Sequence, residues 1–224
     1  MKSRLYSSAV LISIVISALA LDHVFTVVWF SVALIAVVLS LGVAECRTLF
    51  RLQAERRSLG APDRMGVVGR AALATGCIGL PGAFLFALRL EDNGLLLLLY
   101  LIAVAKMTDN GALFVGRLWG RHKLAPKISP AKTVEGVCGG LAVGILTAVL
   151  LGPCCTGFDS ACALFIGTVI SPLAVLGDLV ESFVKRQAGV KDSGSRMPGI
   201  GGVLDLMDSV LLAAPAGYLL LTLK

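Results

Sequence analysis

Acid and base crowd together in one stretch of an otherwise apolar chain. The segment GDLVESFVKRQAGVKDSG, Gly177 to Gly194, places six charges in eighteen residues. Read as a helix, it puts Asp178, Glu181, Ser182, Lys185 and Arg186 on one face, because they are spaced by three, four and seven. Val180, Phe183 and Val184 occupy the other face. The helix should end near Gly189, and Lys191-Asp192-Ser193-Gly194 reads as a turn. Pro198-Gly199 and Gly201-Gly202 keep the chain tight before Asp205 and Asp208 project from the first turns of a last apolar run.

Negative charge at a helix start is favoured by the helix dipole, but by under about 1 kcal/mol. A carboxylate at membrane depth costs roughly 2.5–3.5 kcal/mol on insertion scales. The dipole cannot account for both acids, so something cationic must meet them. Carboxylates from separate segments, without a His or Cys cluster, suit a hard cation such as Mg2+, which bridges one or two carboxylates to substrate phosphates. Asp178 and Asp205 are the expected pair, with Asp109, Asp192 and Asp208 candidates for a second cation or the outer shell. Lys132, Lys185, Arg186 and Lys191 supply the charge that a triphosphate requires. The plainer reading is a set of intramembrane salt bridges. Five acids and four bases on one side of the bilayer, beside Gly-rich turns, argue for a ligand instead. A second polar segment, Met107 to Gly136, contains Ser129-Pro130, which reads as a helix start with Ser as N-cap and Pro at the first position. Such an N-terminus also offers N–H groups to a phosphate. His122 reads as solvated and His23 as a turn residue.

The elements that must position these groups are membrane helices. The chain is 57% hydrophobic, with a mean hydropathy of +0.89. Apolar runs at Leu5–Leu21, Val24–Val43, Met65–Leu88, Gly94–Ala105, Val134–Leu151, Ala161–Gly177 and Val203–Leu223 approach the roughly 20 residues a bilayer span needs. Gly94–Ala105 is short and should be extended by its flanks. The expected fold is therefore all-α and polytopic, with about seven transmembrane helices. Lys2, Arg4 and Ala18-Leu19-Ala20 also fit a cleavable signal peptide. The next run starts only three residues later, which favours an uncleaved hairpin turning at Asp22-His23.

The net charge of +6 matters through its placement. With Lys2 and Arg4 inside, segments 44–64, 106–133 and 178–202 fall on the same side and hold most of the Lys and Arg, while the other side shows Arg89 and Lys224. Cytoplasmic loops are enriched in these bases, so the polar segments face the cytoplasm. The excess base does not call for nucleic acid; such a face attracts anionic headgroups and phosphate-bearing solutes. The stretch ECRTLFRLQAERR, Glu45 to Arg57, should continue helically from the second run and lie at the interface as an orientation-setting loop. Gly136, Gly140 and Gly144 recur on one helical face, where another helix can approach. Pro81, Pro172 and Pro215 should kink their spans. The six cysteines, with Cys154-Cys155 in a short outer turn, form no metal pattern and read as structural thiols.

These polar positions resemble the bacterial phosphatidate cytidylyltransferases, or CDP-diacylglycerol synthases. The family signature S-x-x-K-R-x4-K-D-S-G, then P-G-H-G-G-x-L-D-R-x-D, is matched at Ser182, Lys185-Arg186, Lys191 to Gly194, Pro198-Gly199, Gly201-Gly202, Leu204-Asp205 and Asp208. An S-P-x-K-T-x-E-G element is matched at Ser129, Pro130, Lys132, Thr133, Glu135 and Gly136, and D-x-G-A-x-x-x-G-R at Asp109, Gly111, Ala112, Gly116 and Arg117. Ile200 stands where the family has His, and Leu206 where it has Arg. The strong resemblance covers about residues 107–209, so 1–106 is expected to be supporting helices and 107–224 the catalytic region. It implies transfer of CMP from CTP to phosphatidate at a bacterial inner membrane, dependent on Mg2+, with the site facing the cytoplasm, and it implies a homodimer. Asp178, Asp205, Lys185 and Lys132 would stand at the reacting centre, and Lys132, Lys185, Arg186, Lys191, Ser129, Thr133 and Ser182 around the phosphates. A CTP-dependent polyprenol or phytol kinase is the rival enzyme. A transporter is the rival of another class, and it predicts acids spread through the membrane depth rather than gathered on one side.

Overall fold

The computed structural model describes residues 29–58, 67–194 and 202–223. The Leu5–Leu21 run with its Asp22-His23 turn, and Pro198 to Gly201 with Ile200 among them, lie outside the described residues. Six helices follow in order: α1 (Trp29–Ser58), α2 (Val67–Leu90), α3 (Gly94–Trp119), α4 (Val134–Cys155), α5 (Ser160–Ala188) and α6 (Leu204–Thr222). All six are long and apolar enough to cross a membrane, and they coincide with the six expected spans that fall among the described residues. The protein is a polytopic α-helical membrane protein. Its β-structure among the described residues is one hairpin, β1 (Lys123–Ala125) and β2 (Ser129–Thr133), paired antiparallel with Lys123 opposite Thr133 and Ala125 opposite Ser129.

That hairpin corrects the expectation that a helix starts at Ser129-Pro130. Pro130 lies in β2, where a two-stranded ribbon leaves an open edge that tolerates the missing N–H. The helix begins after Thr133 instead, whose side chain accepts the Gly136 N–H at 3.1 Å and caps α4. Glu135 fastens the hairpin to the same helix start. Its carboxylate accepts the Arg121 and His122 backbone N–H groups at 3.1 Å and meets the His122 ring at 2.5 Å. Met107 to Trp119 was expected as part of a polar cytoplasmic segment, and Gly94–Ala105 was expected to be extended by its flanks, which Met107 to Trp119 does. It is the last half of α3, whose 26 residues span about 39 Å, longer than a ~30 Å hydrocarbon core. Cys154-Cys155 close α4 rather than lying in the turn beyond it. The helices run through Pro81, Pro153, Pro172 and Pro215.

The helix ends follow their sequence signals. At the end of α5, Gly189 adopts φ 72°, its N–H bonds to Arg186 O at 3.0 Å, and the Val190 N–H bonds to Lys185 O at 3.1 Å. That reciprocal pair is a Schellman stop, and its left-handed residue suits glycine. Residues Lys191 to Ser193 then bend as expected.

Contacts group the chain into two units, one formed by the described residues of Met1–Phe86 with Val184–Met207, the other by Ala87–Phe183 with Asp208–Lys224. In the first, small residues let α1 and α2 approach: a Cβ at Gly82 would meet Leu39, and one at Gly42 would contact Ile78 at 3.6 Å. In the second, the glycine face of α4 does the same work. Added Cβ atoms at Gly136 and Gly140 would fall within 3 Å of backbone carbonyls of Ala112 and Thr108, and one at Gly144 would overlap the hydroxyls of Thr108 and Ser171. Lipid tails are as apolar as Leu, so such close approach supplies the packing energy that hydrophobicity cannot. Tyr100, 1% exposed, adds a hydrogen bond to the Ala148 carbonyl at 3.2 Å.

Candidate active site

Within the second unit, backbone proximity brings three helices' polar residues level. A Cβ at Gly177 would overlap the carbonyl oxygen of Asp208, so α5 and α6 touch main chain to main chain there. The contact sets Asp178 beside Asp208. One carboxylate oxygen from each of Asp178, Glu181 and Asp208 lies within 4.8 Å of the others. Eighteen residues of helix separate Ser160 from Asp178, a rise of about 27 Å, so this cluster lies near one end of the span.

Among the described residues, two ammonium groups border the three acids. Lys132, carried by β2, reaches Asp178 Oδ2 at 2.7 Å and the Val175 carbonyl at 3.4 Å. Lys106, on α3, donates to Ser209 Oγ at 2.8 Å and stands 3.5 Å from both Asp109 and Asp208. Ser182 donates to Asp178 Oδ1 at 3.4 Å, and the Ser209 N–H donates to Asp208 Oδ1 at 2.6 Å. Four acids, Asp109, Asp178, Glu181 and Asp208, thus stand among these groups. Like charges this close are costly in a low-dielectric setting.

The donor set fits a hard divalent cation. All the candidate atoms are carboxylate oxygens, and no thiol or imidazole stands among them. Asp178, Glu181 and Asp208 would supply such an ion with oxygen ligands and negative charge, the remaining positions being left to water or substrate phosphates.

The first unit holds a second constellation. Asp205 accepts the Lys185 ammonium at 2.6 Å on Oδ1, and the N–H groups of Gly202 at 2.7 Å and Ser193 at 3.2 Å on Oδ2. Glu45, from α1, accepts the Ser193 hydroxyl at 3.2 Å and the Leu204 N–H at 2.9 Å. Lys185 and Asp205 are both nearly covered, at 11% and 12% exposed.

The site residues expected from sequence therefore divide. Asp109, Lys132, Asp178, Ser182 and Asp208 share the second unit's polar cluster. Lys185 and Asp205 pair in the first unit, and there Asp205 has a lysine and two backbone N–H groups upon it. Arg186 is exposed and donates to the Val190 carbonyl at 3.1 Å. Lys191 and Asp192 are exposed in the turn after α5. Ser129 opens β2, and the Thr133 side chain is taken up by capping α4. Glu181 was expected on the polar face without a role, and Lys106 only as a basic residue. Their signal was a charge inside a membrane-length helix, which marks function by default. Glu45 was expected at a solvated interface and is buried instead, at 3% exposed.

Residues 61–224 match the family model described as "Cytidylyltransferase family". Among curated relatives, the chain is 41% identical over 158 residues to the phosphatidate cytidylyltransferase of Bacillus subtilis, covering 70% of this chain and 59% of that protein. It is 44% identical over 133 residues to the phosphatidate cytidylyltransferase of Haemophilus influenzae, covering 55% and 44%. It is 39% identical over 127 residues to the uncharacterized protein YnbB of Escherichia coli, covering 57% and 43%. The chain spans about half the length of the curated relatives it matches.

Proposed function

The chain belongs to the cytidylyltransferase family, and from that premise we propose that it transfers CMP from CTP to phosphatidate, giving CDP-diacylglycerol and pyrophosphate. The observation that carries this reading is the group of three carboxylates bordered by Lys132 and Lys106. Asp178, Glu181 and Asp208 would hold a divalent cation, Mg2+ in this reading, which supplies neutralisation of charge on the nucleotide phosphates and the departing pyrophosphate.

The chain's own residues then position and screen. A phosphatidate oxygen attacks the α-phosphorus of CTP; the new P–O bond forms as the bond to the β-phosphate oxygen breaks, and pyrophosphate leaves with that electron pair. A phosphate monoester is largely dianionic at neutral pH, its second pKa being about 6, so the nucleophile needs no general base. That agrees with a cluster containing no histidine. Lys132 and Lys106 exchange a carboxylate partner for a phosphate oxygen as the nucleotide enters. Phosphoryl chemistry of this kind depends on alignment and charge more than on proton transfer. The acyl chains remain in lipid, which accounts for a site near the end of the spans. In this reading the protein lies in a bacterial inner membrane, acts as a homodimer and presents the site to the cytoplasm, where CTP is.

CTP labelled at either the α- or the γ-phosphate tests the reaction. Label from the α-position should appear in lipid, with none from the γ-position. The reverse result would instead identify a lipid kinase, whose neutral alcohol substrate does need a base.

A further inference from the structure

Glu45 precedes the stretch that matches the family, residues 61–224. It nevertheless binds two points within the segment that carries the resemblance, the turn after α5 and the start of α6. Its Oε2 accepts the hydroxyl of Ser193 at 3.2 Å and the N–H of Leu204 at 2.9 Å, from partners 148 and 159 positions away. Backbone presses against the same carboxylate. A Cβ at Gly194 would lie 2.9 Å from Oε1, and one at Gly202 would overlap both Oε2 and the Ser193 hydroxyl. Ser193 is shared: its hydroxyl goes to Glu45 and its N–H to Asp205, 3.2 Å each. Asp205 in turn receives Lys185. A continuous run of hydrogen bonds therefore links α1, the turn after α5 and the start of α6 through covered groups.

Stability alone does not call for this carboxylate. A buried charge costs desolvation, and a well-packed apolar residue often serves as well. What a carboxylate adds is a directional hold on a turn built of Lys, Asp, Ser and Gly, which has little apolar surface to hold it otherwise. Resting on the reading given above and on the part in the reaction that the resemblance implies for Lys185 and Asp205, we propose that Glu45 is a positioning residue for the transfer: it fixes the Lys191–Gly194 turn and the first turn of α6, and so the placement of Lys185 and Asp205.

The test uses the full chain in lipid nanodiscs, with Glu45→Ala, Glu45→Gln and, as a control, Leu49→Ala. Leu49 is one turn along α1 and 1% exposed. Glu45→Ala should lower kcat by up to about 100-fold, the cost of a misplacement near 1 Å, with KM for phosphatidate little changed. Loss of binding that serves ground and transition state alike would raise KM instead. Glu45→Gln, which keeps an oxygen acceptor in place, should restore most of the loss. Leu49→Ala should lower Tm and leave kcat of the folded protein as it was. Hydrogen exchange at the Leu204 amide should rise in Glu45→Ala and not in Leu49→Ala. A wild-type kcat in Glu45→Ala, or a loss in Leu49→Ala that matches it, overturns the proposal. Should the wild-type protein label no lipid, the functional reading fails on its own, and unchanged exchange at Leu204 in Glu45→Ala would overturn the anchoring as well.

Discussion

Asp208→Asn should make the cation-free protein more stable while destroying its response to magnesium. Asp208 lies within 4.8 Å of carboxylate oxygens on Asp178 and Glu181, and 3.5 Å from the Lys106 ammonium. At an effective dielectric near 20, each repulsion is worth about 3.5 kcal/mol or more and the attraction about 4.7 kcal/mol. Two repulsions exceed one attraction by roughly 2 kcal/mol, so neutralising the side chain removes more strain than support. Asparagine keeps the oxygen that accepts the Ser209 N–H, which leaves that bond intact. The expected gain is about 2–4 °C in Tm per kcal/mol for a chain of this size, measured in detergent with a chelator present. Magnesium at about 100 times its Kd should then stabilise the wild type by roughly 2.7 kcal/mol and the variant hardly at all. The variant should also transfer no label from CTP to lipid. An Asp208→Asn protein that is no more stable without the ion, or that still gains Tm on adding it, would refute the charge argument.

Other perturbations follow from the same geometry. Lys132→Met removes the ammonium 2.7 Å from Asp178, and lipid labelling should fall by about 100-fold or more, as when one charge-stabilising donor is lost. Gly144→Ala places a methyl group against the hydroxyls of Thr108 and Ser171; overpacking of this kind costs about 1–3 kcal/mol, to be read as a lowered Tm. Gly189→Ala forces an L side chain into φ 72°, a penalty of about 1–2 kcal/mol, again visible in Tm but not in kcat of the folded enzyme.

Much of the scaffold was legible because membrane length and local spacing are written along the chain. The α5 stop at Gly189 and the glycine face of α4 both depend on residues within a few turns of one another. The hairpin was harder. Ser129-Pro130 carries a genuine helix-start signal, and the structure overrides it because Thr133 can cap α4 while Glu135 holds Arg121 and His122, just before β1, by their N–H groups. The partners of each acid were not legible. Asp178 and Asp205 were expected to work as a pair; Asp178 has Glu181 and Asp208 near it in the second unit, and Asp205 has Lys185 and two backbone N–H groups upon it in the first. Helical spacing says which face a residue occupies, but not which distant segment meets that face. Glu45 shows the limit most plainly: nothing within a dozen residues of it announces a bond to Ser193 or Leu204.

The contact between Gly177 and the Asp208 carbonyl has a consequence for the acids beside it. A Cβ at residue 177 would overlap that carbonyl oxygen and lie 3.2 Å from the Leu212 Cβ, so any side chain there would wedge α5 from α6 in a bilayer of whatever composition. Asp178 and Asp208 would be drawn apart with it, and glycine is the residue that this position admits.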